Sequence, residues 1–181
     1  MNIFKNQIFY DQFRQMMSTN GDQTTGTTNM GGDYSATATD FYVQPNSDHI
    51  FLVGTVIISI SDDAKFIQSG YGAIAGGITN GVTGFITKNG VKANAFGNLT
   101  FKSNVDWFAV GSDVVLSSFD LNPQTLVVHF HAFSDTGGYI VLDGRVGDRI
   151  GLTINDNLST LVRQVGIVRG ISLYRPRSAF T

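Results

Sequence analysis

The sequence predicts an all-β protein: an antiparallel β-sandwich, jelly-roll-like, with a short N-terminal helical arm. Three observations point there. All 14 acidic residues among the 181 are Asp, so Glu, a principal helix former, is missing altogether. Gly numbers 21, Phe 14 and Tyr 6, and together with abundant Thr, Val and Ile these are residues of turns and strands. From Asp40 onward, apolar runs of strand length recur between turn signals, with no helical period between them. The length suits one hydrophobic core.

Taken in order, residues 3–17 place Ile3, Phe4, Ile8, Phe13, Met16 and Met17 on one helical face, with Lys5, Asn6, Gln12 and Gln15 elsewhere. Together with Phe9 these side chains form the expected assembly arm. Thr19 to Thr39 is rich in Gly, Thr, Ser, Asn and Asp, a composition that buries little and reads as a flexible linker. The expected divisions are therefore an arm and linker over 1–38, a sandwich over 39–174 and a tail over 175–181. Phe41 to Gln44 is a strand closed by the Pro45-Asn46-Ser47-Asp48 turn. Ile50 to Ser61 is the strongest strand, with Val56, Ile58 and Ile60 on one face and Thr55, Ser59 and Ser61 on the other. Asn80-Gly81 and Asn89-Gly90 are hairpin signals, because both central residues of a type I′ turn need positive φ. Further strands are expected at Asn98–Lys102, Trp107–Val110, Val114–Ser118, Leu126–Phe133, Tyr139–Leu142, Arg149–Asn155 and Leu161–Leu173.

Charge and composition narrow the function. Charged residues make up 14%, against roughly 25% in typical domains. The net charge of −2 argues against direct nucleic-acid binding. Residues 1–144 hold 12 Asp against 6 Lys and Arg, whereas residues 145–181 hold 6 Arg against 2 Asp. With no Cys, disulfides, thiolate metal sites and thiol nucleophiles are excluded. Met1 to Met17 does not read as a signal peptide, since Lys5, Asp11 and Arg14 interrupt it. Phe66 to Thr87 is uncharged for 22 residues, but its six Gly make it too weakly apolar for a membrane span.

The motifs that could carry chemistry are few. Gly70-Tyr71-Gly72-Ala73-Ile74-Ala75 fits G-x-G-x-x-A in form, yet the Asn80-Gly81 turn arrives before a helix could form, so no dinucleotide site is expected. His129 and His131 lie two apart on one strand, where a metal would need a third ligand such as His49 or an Asp; packing on a sheet is the simpler expectation. Asp62-Asp63, Asp143, Asp148 and Asp156 fall at turns, where Asp ordinarily binds backbone N–H groups. Arg145, Arg149, Arg163, Arg169, Arg175 and Arg177 are expected to pair with Asp, within the chain or across a subunit contact. No cofactor and no catalytic residue is expected.

The order of these elements carries a resemblance. Phe41-Tyr42-x-x-Pro45 is followed by the Val53 to Ile60 strand, Asp62-Asp63, Phe66, Tyr71-Gly72 and Ile78-Thr79-Asn80-Gly81-Val82. Then come Asn104-Val105-Asp106-Trp107, Leu142-Asp143-Gly144, Ile154-Asn155-Asp156-Asn157-Leu158-Ser159 and Val168-Arg169-Gly170. Over roughly 40–172 this resembles the small virion structural proteins encoded among the head and tail genes of tailed bacteriophages. The resemblance implies a non-enzymatic β-sandwich built into a particle that is assembled in the host cytoplasm. Capsid decoration is the expected role, with a head-tail connector or tail component as the alternative. Its partners would be the major capsid protein or connector and tail proteins, and further copies of itself in a trimer or ring. Two rival readings are a carbohydrate-binding module using Trp107, Tyr71 and Tyr139, and a metal-dependent cupin-like enzyme using His129 and His131.

Overall fold

A computed structural model describes residues 10–22, 24–62, 74, 76–94, 100–101, 113–117, 124–130 and 138–175. For Asn94 and for residues 100–101, 113–117 and 124–130 it describes the backbone only. The described elements are eleven strands and one 3-10 turn. The strands are β1 (Tyr10–Met16), β2 (Thr39–Val43), β3 (His49–Asp62), β4 (Val82–Lys88), β5 (Val91–Asn94), β6 (Thr100–Phe101), β7 (Asp113–Ser117), β8 (Gln124–Phe130), β9 (Ile140–Asp143), β10 (Arg149–Ile154) and β11 (Arg163–Tyr174). All pairings are antiparallel. One sheet runs β1-β11-β3-β8-β7 with β9 also on β3; the other runs β2-β10-β4-β5 with β6 also on β4. The chain is thus all-β, and the two sheets share one apolar core as a sandwich does.

The core follows from strand parity. In β2, Phe41 and Val43 point inward; in β10, Ile150, Leu152 and Ile154 do so. In β3, the inward set changes from odd to even, because Phe51 and Val53 are buried in the first half and Val56, Ile58 and Ile60 in the second. The register explains the change. Arg169 of β11 pairs with Thr55 and Gly170 with Val53, so Gly54 is an extra residue, a bulge. At the same place β3 exchanges its other neighbour, from β9 over Ile50–Val53 to β8 over Val56–Asp62. Gly170 has to be glycine on packing grounds, since a Cβ there would overlap the Leu52 carbonyl.

The expected helix is not formed by residues 10–16, which make β1 and pair with β11 from Tyr10↔Leu173 to Met16↔Ile167. Phe13 stacks on Phe51 with ring centroids 4.1 Å apart. Met16 is half-buried and Met17 fully buried. These three side chains therefore belong to the body of the domain. The physical reason is that β11 offers a full-length pairing edge, and the ladder outweighs a short and isolated helical preference. Ile3, Phe4, Ile8 and Phe9 lie outside the described residues.

The segment expected to be a flexible linker is likewise tied down. Ser18 bridges to Tyr42 through backbone bonds of 3.0 and 2.9 Å, which carries the chain from one sheet to the other. The Met30 N–H donates to Gln164 O at 2.8 Å, the Tyr34 N–H to Asp156 O at 3.0 Å, and the Leu158 N–H to Gly32 O at 2.7 Å. Met30 is completely buried beside Met17, and both fill the space above Gly166, where a Cβ would strike the two side chains. Asp22 accepts the N–H of Thr24 and the hydroxyls of Thr24 and Thr25, bonds that hold its carboxyl below the usual range. Two apolar anchors and a set of short polar bonds order a segment that composition alone reads as loose.

The other expectations are met unevenly. Asn89-Gly90 has φ of 49° and 80°, the paired positive values that a type I′ hairpin requires, and it joins β4 to β5. Asn80-Gly81 is a turn leading into β4, with positive φ at Gly81 alone. Trp107–Val110 lies outside the described residues, as does 176–181. Replacing Met17 by Ala is expected to lower stability by roughly 2–4 kcal/mol, the usual cost of a large-to-small change at a closed site. The check is a denaturant midpoint; an unchanged midpoint would show that residues 10–17 are a detachable arm.

Candidate functional site

Strand β10 ends in a buried carboxylate on either side, and both act on β4. Asp156 follows β10 and is 6% exposed. It accepts the N–H of Thr79 at 3.0 Å, that of Asn80 at 3.0 Å, and that of Gly81 by a short bond. These donors form the turn that starts β4. Asp148 precedes β10 and is 1% exposed. It accepts the N–H of Asn89 at 2.9 Å and of Asp143 at 3.0 Å, and pairs closely with the Lys88 ammonium. Those groups belong to the β4–β5 hairpin and to the turn after β9. Burial pushes the Asp148 carboxyl upward, but the Asp143 N–H, the Lys88 ammonium and the Asn89 N–H outweigh it and hold it below the usual range.

Both carboxylates are saturated with donors that they hold in place, so they serve as staples. Asp143 caps the 3-10 turn Gly144–Val146 by accepting the Arg145 N–H at 2.9 Å, and pairs with Arg175 at 3.1 Å. Asp62 is buried at the end of β3; Asp63 lies outside the described residues.

The expected histidine site is not assembled from His49. That residue pairs with Asp48 at 2.6 Å and packs edge-on against Tyr174. His129 stands in register with Ile57, eight residues further along β3, which is about 26 Å of strand. No metal can bridge that distance. His131 lies outside the described residues, and among the described residues no group of three or more potential ligands gathers.

The arginines separate into three environments. Arg175 pairs with Asp143 as expected. Arg149 instead lies over the Tyr42 ring at 4.6 Å and near Phe85 at 5.9 Å. Arg145, Arg163 and Arg169 are exposed, and Arg177 lies outside the described residues. Of the sugar-stacking candidates, Tyr139 is half-exposed on the outer face of the six-stranded sheet; Tyr71 and Trp107 are outside the described residues, as is the Gly70–Ala75 motif apart from Ile74.

Two clusters had no signal in the sequence because they depend on register. On the outer face of the five-stranded sheet, Lys92 of β5 reaches both Asp40 oxygens, at 2.7 and 2.8 Å, and the Thr153 hydroxyl at 2.9 Å. The ammonium also lies 4.2 Å from the centroid of Phe85, an outward-facing ring that is nonetheless buried. On the other sheet, Arg14 of β1 stands opposite Arg169 of β11. These lie beside an open groove of about 600 Å³ that Tyr139 also lines.

No family model, no curated protein and no solved structure matches the chain.

Removing the Asp156 carboxylate in Asp156→Ala strips three N–H groups of their acceptor, one buried and two partly so, and a loss of roughly 1–3 kcal/mol is expected. Urea unfolding measures it. The Asp148 effect has a defined sign with pH. A carboxyl held low in the folded state contributes stability that is complete above the unfolded value near 3.9 and is lost as pH falls through the lower folded value. Asp148→Asn is therefore expected to be less stable than the parent at pH 7, with the gap narrowing below about pH 4. A constant gap across the acid range would contradict the assignment.

Proposed function

We propose that the protein is a non-enzymatic structural component of a phage virion, a jelly-roll-like sandwich that works by packing against neighbouring subunits. Capsid decoration is the favoured role, with a head-tail connector or tail component as the alternative. Further copies, in a trimer or ring, and the major capsid protein are the natural partners. The sequence order described above supports the particle assignment.

The observation that carries the structural reading is the use made of Asp148. One carboxylate ties the β4–β5 hairpin to the turn after β9, and both of these present apolar side chains to solvent. Val91, just past the hairpin, is 69% exposed and Val146, in the 3-10 turn, is 48% exposed. Exposed valines on a rigid end of a sheet suit a preformed contact, since little side-chain freedom remains to be lost on association. The low charge content suits wide polar and apolar contacts of the kind subunits share.

In the phage that encodes the chain, mass spectrometry of purified virions is expected to find it in many copies. Retention on tail-less heads supports decoration, and retention on tails alone supports the alternative; absence from the particle overturns both. The double variant Val91→Asp, Val146→Asp is expected to lose about tenfold or more in particle occupancy while melting at the parent temperature, as buried charge opposes association.

A further inference from the structure

The outer face of the six-stranded sheet holds a row formed across three strands: Arg14 on β1, Arg169 on β11 and Thr55 on β3 are in register. The two arginines are exposed and directly opposed, and neither makes an ion pair or hydrogen bond among the described residues. Like charges facing each other across a ladder oppose its formation, unless an anion lies between them. They border the groove of about 600 Å³, which Gln12, Thr55, Tyr139 and Ile171 also line and to which no acidic residue among the described ones contributes. That volume falls within the roughly 300–1,000 Å³ of small-ligand sites.

The bulge makes the groove. Gly54 leaves no side chain on this face, and a Cβ there would come within 3.2 Å of the Tyr139 ring, so the ring rests in the space that glycine vacates. Tyr139 remains 52% exposed beside the cations. β11 is paired on both sides, by β1 and by β3, and the groove opens on the face of the sheet rather than along its edge, so a ligand in it is read chiefly by side chains. An acidic peptide draws much of its affinity from main-chain pairing at a sheet edge, and on the Arg14 side of the groove the edge open to it among the described residues is the far side of β1, away from Arg169 and Tyr139. A carboxylated sugar finds more on the face itself. Guanidinium groups take a carboxylate bidentately, the Gln12 amide suits ring hydroxyls, and Tyr139 with Ile171 offers apolar surface to the C–H face of a ring.

We propose that this groove binds an acidic saccharide, its carboxylate on the Arg14–Arg169 pair and its ring against Tyr139. The inference stands apart from the assembly role and is tested without any particle. The full chain is titrated with oligogalacturonate at low salt, with a neutral galactose oligomer of equal length and an Asp-rich peptide of equal charge in parallel. Oligogalacturonate is expected to bind, and the neutral oligomer and the peptide to bind at least about tenfold more weakly. Arg14→Gln, Arg169→Gln and Tyr139→Ala, made singly, are each expected to weaken saccharide binding about fivefold or more. All three side chains are exposed, so melting temperature serves as the control of folding, and Arg14→Gln is expected to melt no lower than the parent because it removes a like-charge neighbour. Failure of oligogalacturonate to bind, equal binding of the neutral oligomer or the peptide, or an unchanged affinity in Tyr139→Ala would each overturn the proposal.

Discussion

The extra residue at Gly54 is the constraint on which the rest of the fold depends. A strand as long as β3 twists and must serve two neighbours in succession on one edge, β9 and then β8, while β11 follows it along the other. With strict alternation, Phe51 and Val53 would share a face with Thr55, Ile57 and Ser59, and the core would lose half its contribution from the central strand. One inserted residue realigns both halves, so that Val53 and Val56 are both fully buried. The same insertion brings Gly54 and Thr55 to the outer surface beside Arg169, which is why the groove and the core have a common origin.

The second sheet is secured by other means. Its ladder between β10 and β4 covers the whole of β10 and all of β4 but Lys88, from Arg149↔Thr87 to Ile154↔Val82, and each end is closed by a buried carboxylate. Hydrogen bonds to such charged acceptors contribute roughly 1.5–3 kcal/mol each, whereas exposed ion pairs contribute about 0–1 kcal/mol. By that measure Asp148 and Asp156 matter far more to the frame than the pairs Arg175–Asp143 and Lys92–Asp40, whose side chains are between a quarter and two-fifths exposed. Lys92, held by Asp40, lies over Phe85, and Arg149 lies over Tyr42, where the five-stranded sheet would otherwise present bare aromatic rings.

Much of this was legible in the sequence, and the failures have physical causes. The all-β class, the β3 strand with its inward Val56, Ile58 and Ile60, and the Asn89-Gly90 hairpin follow from local pattern and turn chemistry, which the structure leaves intact. The reading of Asp148 and Asp156 as turn residues also holds, though which N–H groups they take depends on strands far away in the chain. β1 reads as helical in the sequence because its inward side holds Asp11 and Gln15 alongside Phe13, so period-two alternation is hidden while apolar residues happen to fall at helical spacing. The Arg14–Arg169 row could not be read at all: nothing in either neighbourhood indicates that residues near opposite ends of the chain stand side by side.

That last pairing bears on how the domain comes into being. β1 is the first described strand to leave the ribosome and β11 is the last, yet they are adjacent, and β11 separates β1 from β3. Until the final segment emerges, the central strand has one edge unfilled and the opening segment has no place to dock. The contact to be closed joins residues 10–16 to residues 167–173, a long sequence separation that makes folding slow. A product truncated before β11 therefore lacks a completed sheet, and the fold forms only in molecules that carry both strands.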